Sequence, residues 1–369
     1  MLLDNISFFE FLPDIFNCFF LFVLIVYFSV KYKIDKKYFI ILSISLLLPF
    51  VFYWLWHWSF LPDQSKYSNL VYNFRGLQYD QSISSLFGSR VAFSSLLLTL
   101  FPIPFVTTIV SISLINKGIL LVVIFYFLKQ KKYYFLISLF LFLPSMIVIS
   151  SVALREMLVL ALAIFYLYFY LEKKDYPRSV FFGILFLLTK PHLGIMFVTT
   201  TIGYYIYFEK YDFSKTNKIL FIFSLLMPLL IAIYFFQEQL IFFRDGYHAE
   251  EFGYQLLNKD NSDISLSLIV SSFLNFLFSP ISTNVINLMN IVIFLENLLI
   301  IFVTTLLLKL IYQENKNKAI FWIFIWIAMF GIFGFVLTNA GTIWRYKFLI
   351  QLIFLCAIYF DWKSIKKNI

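Results

Sequence analysis

The sequence predicts an all-α fold, a polytopic transmembrane helical bundle of about eleven spans. Three observations predict it. Of 369 residues, 62% are hydrophobic and only 13% charged, a balance that leaves too little polar surface for a soluble chain of this length. The 50 Phe residues fall in long Leu/Ile-rich runs, without the polar–apolar alternation that a barrel strand needs. The lysines gather in short loops between those runs, as cytoplasmic loops require. Residues 1–369 read as one integral membrane domain with outer loops at about 57–108 and 237–287. The net charge of +9 belongs to those lysines and gives no reason to expect nucleic acid as a partner. Cys18 and Cys356 both lie in apolar runs, so neither a disulfide framework nor a metal site is expected, and no motif calls for a cofactor. The start, MLLDNISFFEFLPD, carries acids where a signal peptide carries Lys or Arg.

The first span, Ile15–Val30, ends at the basic stretch Lys31–Lys37, which places the N-terminus outside. Tyr38–Trp56 returns outward, and Tyr53, Trp54, Trp56 and Trp58 fit an interfacial belt. The first outer loop then carries Asp63, Lys66, Arg75, Asp80 and Arg90. Val91–Leu100 is too short to span and is stopped by Pro102 and Pro104, so Val91–Phe105 reads as re-entrant or surface-lying. Ile109–Leu128 crosses inward with Lys117 inside it, a residue that must snorkel or face the bundle interior. Tyr133–Ser151 goes out and Leu154–Leu171 returns. Val180–Thr189 re-enters and Leu193–Phe208 goes back. Ten helical residues rise only about 15 Å, so the Lys190-Pro191-His192 tip is expected at half depth in a hairpin. Lys218–Phe236 goes out to the second outer loop, with Glu238, Arg244, Asp245, His248, Glu250, Glu251 and Asp260. Leu266–Phe278 is another short apolar piece stopped by proline, and its likeness to Val91–Pro104 points to an internal repeat. Leu288–Leu308, with Glu296 buried mid-span, goes in, and Ala319–Leu337 comes out. Asn339–Lys347 is expected as a short outer turn before the last span, Phe348–Phe360.

Arg155 and Glu156 stand at the junction of two spans, where a charge persists only if a partner or a cavity receives it. Adjacent helical residues point about 100° apart, so each can hold something other than its neighbour. A plain helix start, with Ser151 as cap, explains Glu156 but not Arg155. Of the six arginines, only Arg178 falls on the cytoplasmic side of this topology. Lys supplies the cytoplasmic charge, whereas Arg carries the planar fork that matches phosphate. The outer arginines therefore read as anion ligands, with ion pairs to Asp63, Asp80 or Asp245 an equal alternative for Arg75 and Arg244. An outward anion site in an aromatic bundle fits a polyprenyl phosphate or pyrophosphate, and some of the 24 Tyr fit sugar faces.

On Ser150-x4-Arg155-Glu156, Lys190-Pro191-His192 and Gly341-x3-Arg345-Tyr346, together with its gross form, the chain resembles bacterial O-antigen polymerases of the Wzy type. More broadly it resembles multi-span glycosyltransferases of the GT-C class. The resemblance implies polymerisation of undecaprenyl-pyrophosphate-linked repeat units at the periplasmic face of the bacterial inner membrane. A chain-length regulator and a flippase are its implied partners. Arg155 and Arg345 then look like pyrophosphate ligands, with Arg75, Arg90, Lys190, His192 and Arg244 as further substrate-binding candidates. Glycosyl transfer needs a base, for which Asp63 or Asp80, then Glu156, then His248 are the candidates. Three rivals stand beside this reading. A GT-C transferase using a polyprenyl-phosphate sugar would want a divalent metal on an outer-loop acid. A lipid-linked oligosaccharide flippase would have more even loops and paired halves. A membrane O-acyltransferase would need a catalytic His.

Overall fold

The structure is a computed structural model that describes residues 11–55, 63–76, 90–210, 266–278, 288–337 and 340–367. Asp80, Arg244, His248, the span expected at Lys218–Phe236 and the side chain of Arg90 lie outside that description. Among the described residues every regular element is a helix. Six helical stretches are long and apolar enough to cross a membrane: Leu12–Tyr32, Lys36–Trp54, Ile109–Leu128, Asn290–Glu314, Lys316–Val336 and Ile343–Lys366. Many of their apolar side chains are open, among them Phe19 at 64%, Val30 at 75% and Phe302 at 61% exposure. Apolar faces that bare need hydrocarbon around them, so the chain has the form of a multi-pass helical membrane protein.

The helices follow local chemistry. α1 (Leu12–Tyr32) opens on Pro13 and closes on Lys33 in the left-handed region at φ 51°. α2 (Lys36–Ser45) and α3 (Leu48–Leu55) are the expected second span, broken at Leu46-Leu47 just before Pro49, which has no N–H to continue the ladder. Within the expected outer loop lies a helix, α4 (Asp63–Arg75). Gln64, Tyr67, Ser68 and Val71 are buried at i, i+3, i+4 and i+7, the signature of an amphipathic helix. α5 (Arg90–Thr99) ends before the two prolines. α6 (Ile109–Leu128) starts in a capping box between Thr108 and Ser111 and is buried almost all round. Pro144 splits the next expected span into α7 (Tyr134–Phe142) and α8 (Pro144–Ile149), with Leu143 extended between them. α9 (Glu156–Leu167) runs into a π-helical turn at Tyr168–Lys173. α10 (Tyr176–Thr189) and α11 (Pro191–Tyr204) are separated by Lys190 alone, because Pro191 fits a first helical position and not an interior one. The later helices are α12 (Leu266–Phe278), α13 (Leu288–Glu314), α14 (Lys316–Val336) and α15 (Ala340–Lys367). α15 corrects the expected turn at Asn339–Lys347: no proline interrupts residues 340–367, so Arg345 and Lys347 ride on a helix.

The chain packs as two compact units, Met1–Tyr166 with Val180–Gly194, and Leu167–Ser179 with Ile195–Ile369. In the first, α6 is the axis, with α1, α3, α4 and α7 packed on it and α5 on α4. Asn17 on α1 exchanges two hydrogen bonds with the backbone of Phe105, at 2.7 and 3.0 Å. Asp14 accepts from Thr108 and Ser111 at 2.6 and 2.5 Å, placing a carboxylate at the positive N-terminus of α6. In the second unit, α12 packs on α14, and α13 on α14 and α15. There Asp361, fully buried, accepts from Tyr204 Oη at 2.5 Å, Trp322 Nε1 at 2.8 Å and Lys318 Nζ at 3.1 Å, tying α11, α14 and α15 together.

Candidate functional site

The first unit gathers its polar side chains on the turn 150–155 and on Thr189-Lys190. The turn exists because α8 stops at Ile149 and α9 does not begin until Glu156. It is held from two sides. Asn116 on α6 donates both amide hydrogens, to Val152 O and Leu154 O, each at 2.6 Å. The N–H between those carbonyls, that of Ala153, donates to Gln64 Oε1 on α4 at 3.0 Å. Lys117, next to Asn116, donates to Ser150 Oγ at 2.8 Å and is 2% exposed. The sequence alternative of snorkelling is thereby decided: Lys117 faces the interior. Ser151 does not cap α9; its hydroxyl donates back to Ile147 O at 2.5 Å.

The held turn delivers Arg155 and Glu156 in different directions. Arg155 Nη1 donates to Thr189 O at 3.1 Å, and its guanidinium lies 6.0 Å from the centre of the Tyr67 ring. Thr189 O is among the last carbonyls of α10, an end that attracts a cation. Ser94 Oγ donates to the same oxygen at 3.4 Å. Glu156 pairs with Lys190 at 3.6 Å, with both side chains almost fully buried. A buried pair of this kind offsets the desolvation of each charge, and removal of either partner strands the other. Arg155 is half-buried, so the cluster reaches the surface there. Three cationic side chains, Lys117, Arg155 and Lys190, and one carboxylate, Glu156, thus converge among the described residues. Lys117 has a neutral hydroxyl as its hydrogen-bond partner and no ion pair among the described residues.

The other expected site residues fall elsewhere. Arg75 departs from both expectations: its guanidinium donates to Ile103 O at 2.7 Å, Phe101 O at 2.6 Å and Thr99 O at 3.3 Å, closing the end of α5. Burial lowers its pKa from the usual arginine value, and the three carbonyls favour the charged form. Asp63 starts α4 and pairs with Lys66 at 3.6 Å. His192 lies in the first turn of α11 with Nε2 buried. Arg345 belongs to the second unit, on α15 with Nε buried, where Lys347 donates to Leu277 O at 2.7 Å. Arg178 is exposed and lies 3.4 Å from Asp175. Sequence reasoning missed Gln64, Tyr67, Ser68, Ser94 and Asn116. The i, i+3, i+4, i+7 pattern in 64–71 and the polar pair Asn116-Lys117 inside an apolar span were the available signals. Compared with known proteins, the chain matches no family model, no curated protein and no solved structure.

Proposed function

We propose that the chain is a glycosyltransferase that polymerises undecaprenyl-pyrophosphate-linked oligosaccharide repeat units at the outer face of a bacterial cytoplasmic membrane. The observation that carries this reading is the gathering of Lys117, Arg155 and Lys190 around one turn, with Lys117 buried against a hydroxyl. Buried cations at membrane depth mark a place where an anion is received. A lipid-linked glycosyl diphosphate brings such an anion, with its tail in the bilayer and its sugar outside.

In the transfer, an acceptor hydroxyl oxygen forms a bond to the anomeric carbon of the donor sugar. The bond from that carbon to the diphosphate oxygen breaks, and its electron pair leaves on the diphosphate. The hydroxyl proton passes to a carboxylate. Glu156 is the one within the cluster, and Asp63 starts the helix whose buried face lines it. Charge that develops on the leaving diphosphate is where a guanidinium contributes most. The eleven-span topology, the half-depth setting of the α10–α11 break and the second outer loop belong to the same reading.

A strain without this chain should make lipid A core bearing a single repeat unit, since transport and ligation survive and chain growth does not. Loss of every repeat unit would instead point to a flippase or to an earlier transferase.

A further inference from the structure

Two buried polar atoms, one on Asn116 within the cluster and one on Ser68 on the α4 face that touches it, are left over after the hydrogen bonds around them are made. Asn116 Oδ1 is buried with no hydrogen-bond partner among the described residues, although both hydrogens of the same amide are used. Ser68 Oγ is also buried and has no partner among the described residues. Helical Ser and Thr elsewhere in the chain bond back to the preceding turn, as Ser43, Ser95, Thr99 and Ser113 do. Ser68 does not bond back to Gln64, the residue one turn before it. It shares a face with Gln64 and adjoins Tyr67, so it stands with the two α4 residues that touch Ala153 and Arg155. Burying an amide oxygen and a hydroxyl without partners is costly, and native proteins seldom leave such groups without a use.

The chemistry of these atoms differs from that of the cations beside them. An amide oxygen only accepts, and an ionised diphosphate diester has no hydrogen to give. The cations suit the anion; Asn116 Oδ1 requires a donor carried next to it. On the proposed function, which this rests on, we infer that Ser68 and Asn116 read the hydrogen-donating substituent on the sugar carbon next to the anomeric centre. That substituent is the donor closest to the diphosphate on the ligand. Arg155 is the half-buried cation of the cluster, and its carbonyl and ring contacts are weaker than the charged hydrogen bonds a phosphate offers in exchange.

The full chain in nanodiscs tests this with two lipids of equal charge, a hexosyl and a 2-deoxyhexosyl polyprenyl diphosphate. Wild type should hold the hexosyl lipid about three- to tenfold more tightly, the range of one neutral hydrogen bond. Ser68→Ala should bring the two affinities nearly together by weakening the hexosyl lipid alone. Its melting temperature should be no lower than wild type, since an unpaired buried hydroxyl has been removed. Arg155→Lys should weaken both lipids by one common factor and keep their ratio. Equal affinities in wild type, an unchanged ratio in Ser68→Ala or a lowered melting temperature for that variant would each overturn the inference and leave the anion site standing. Failure of wild type to bind either lipid would overturn the proposed function itself.

Discussion

At the scale of single residues, geometry and chain position make different demands on the same charge. Arg155 donates from one nitrogen to a carbonyl and holds its guanidinium 6.0 Å from the centre of the Tyr67 ring, and a compact ammonium does not carry the same planar fork. If that fork meets a leaving diphosphate, Lys keeps the charge and loses the match. Arg155→Lys should then lose about 10²–10³ in polymerising rate, the worth of one charged hydrogen bond made in the transition state. Arg178→Lys should be silent, since Arg178 is exposed beside Asp175. Near-normal glycan length in Arg155→Lys removes the anion site. The Glu156–Lys190 pair makes a separate prediction about stability. Both groups are at least nine-tenths buried, so Glu156→Gln or Lys190→Met alone strands a partner and should cost about 3–5 kcal/mol. The double variant should recover much of that loss in a detergent melting experiment.

At the scale of elements, glycines report how closely helices approach. α14 contains an internal comparison. Among the described residues, a Cβ on Gly331 would meet nothing within 4 Å, whereas one on Gly334 would lie 2.7 Å from Ser272 O and 2.9 Å from Phe276 Cβ on α12. Gly331→Ala should therefore gain up to about 1 kcal/mol from helix propensity. Gly334→Ala should lose about 1–3 kcal/mol, because the contact is backbone and the helices must part. Thermal melting of the two single variants reads both signs. Gly194 is alike in kind, with a Cβ falling 2.7 Å from Leu187 Cα, so Gly194→Ala should open the α10–α11 break and disturb Lys190 with it. Pro49, Pro144 and Pro191 each sit at a helix start, and of the three only Pro191 reads as a break in the sequence; Pro49 and Pro144 lie inside apolar runs whose length alone suggests unbroken spans. α4 was legible but was hidden by its polarity, since a loop and an amphipathic surface helix share a composition and differ in period.

At the scale of the whole molecule, the lysine distribution predicts sidedness. Reporter fusions at Asn73 and Asn258 should read outside, and fusions in Lys31–Lys37, Lys129–Lys132, Lys173–Arg178, Lys210–Lys218 and Lys309–Lys318 should read inside. A cytoplasmic signal at either asparagine would remove the case for outer arginines. The proposed polymerising activity should also survive a strong chelator; its loss would favour a transferase with a divalent metal on an outer acid. What the sequence determined alone is the class of molecule and the positions of most helices. Apolar run length, proline and clustered lysine act locally, through hydrocarbon thickness, the missing N–H and loop charge. Only the tertiary structure decided which charged residues meet. Lys117 and Ser150 are 33 residues apart, Arg155 and Thr189 34, and Gln64 and Ala153 89. Pairing over such distances depends on how helix faces rotate against one another, and a single chain carries no local record of that rotation. The same sequence offered both Arg75 and Arg155 as anion ligands, with an ion pair as an equal alternative for Arg75 alone of the two, and packing turned Arg75 onto the carbonyls at the end of α5 and Arg155 into the cluster.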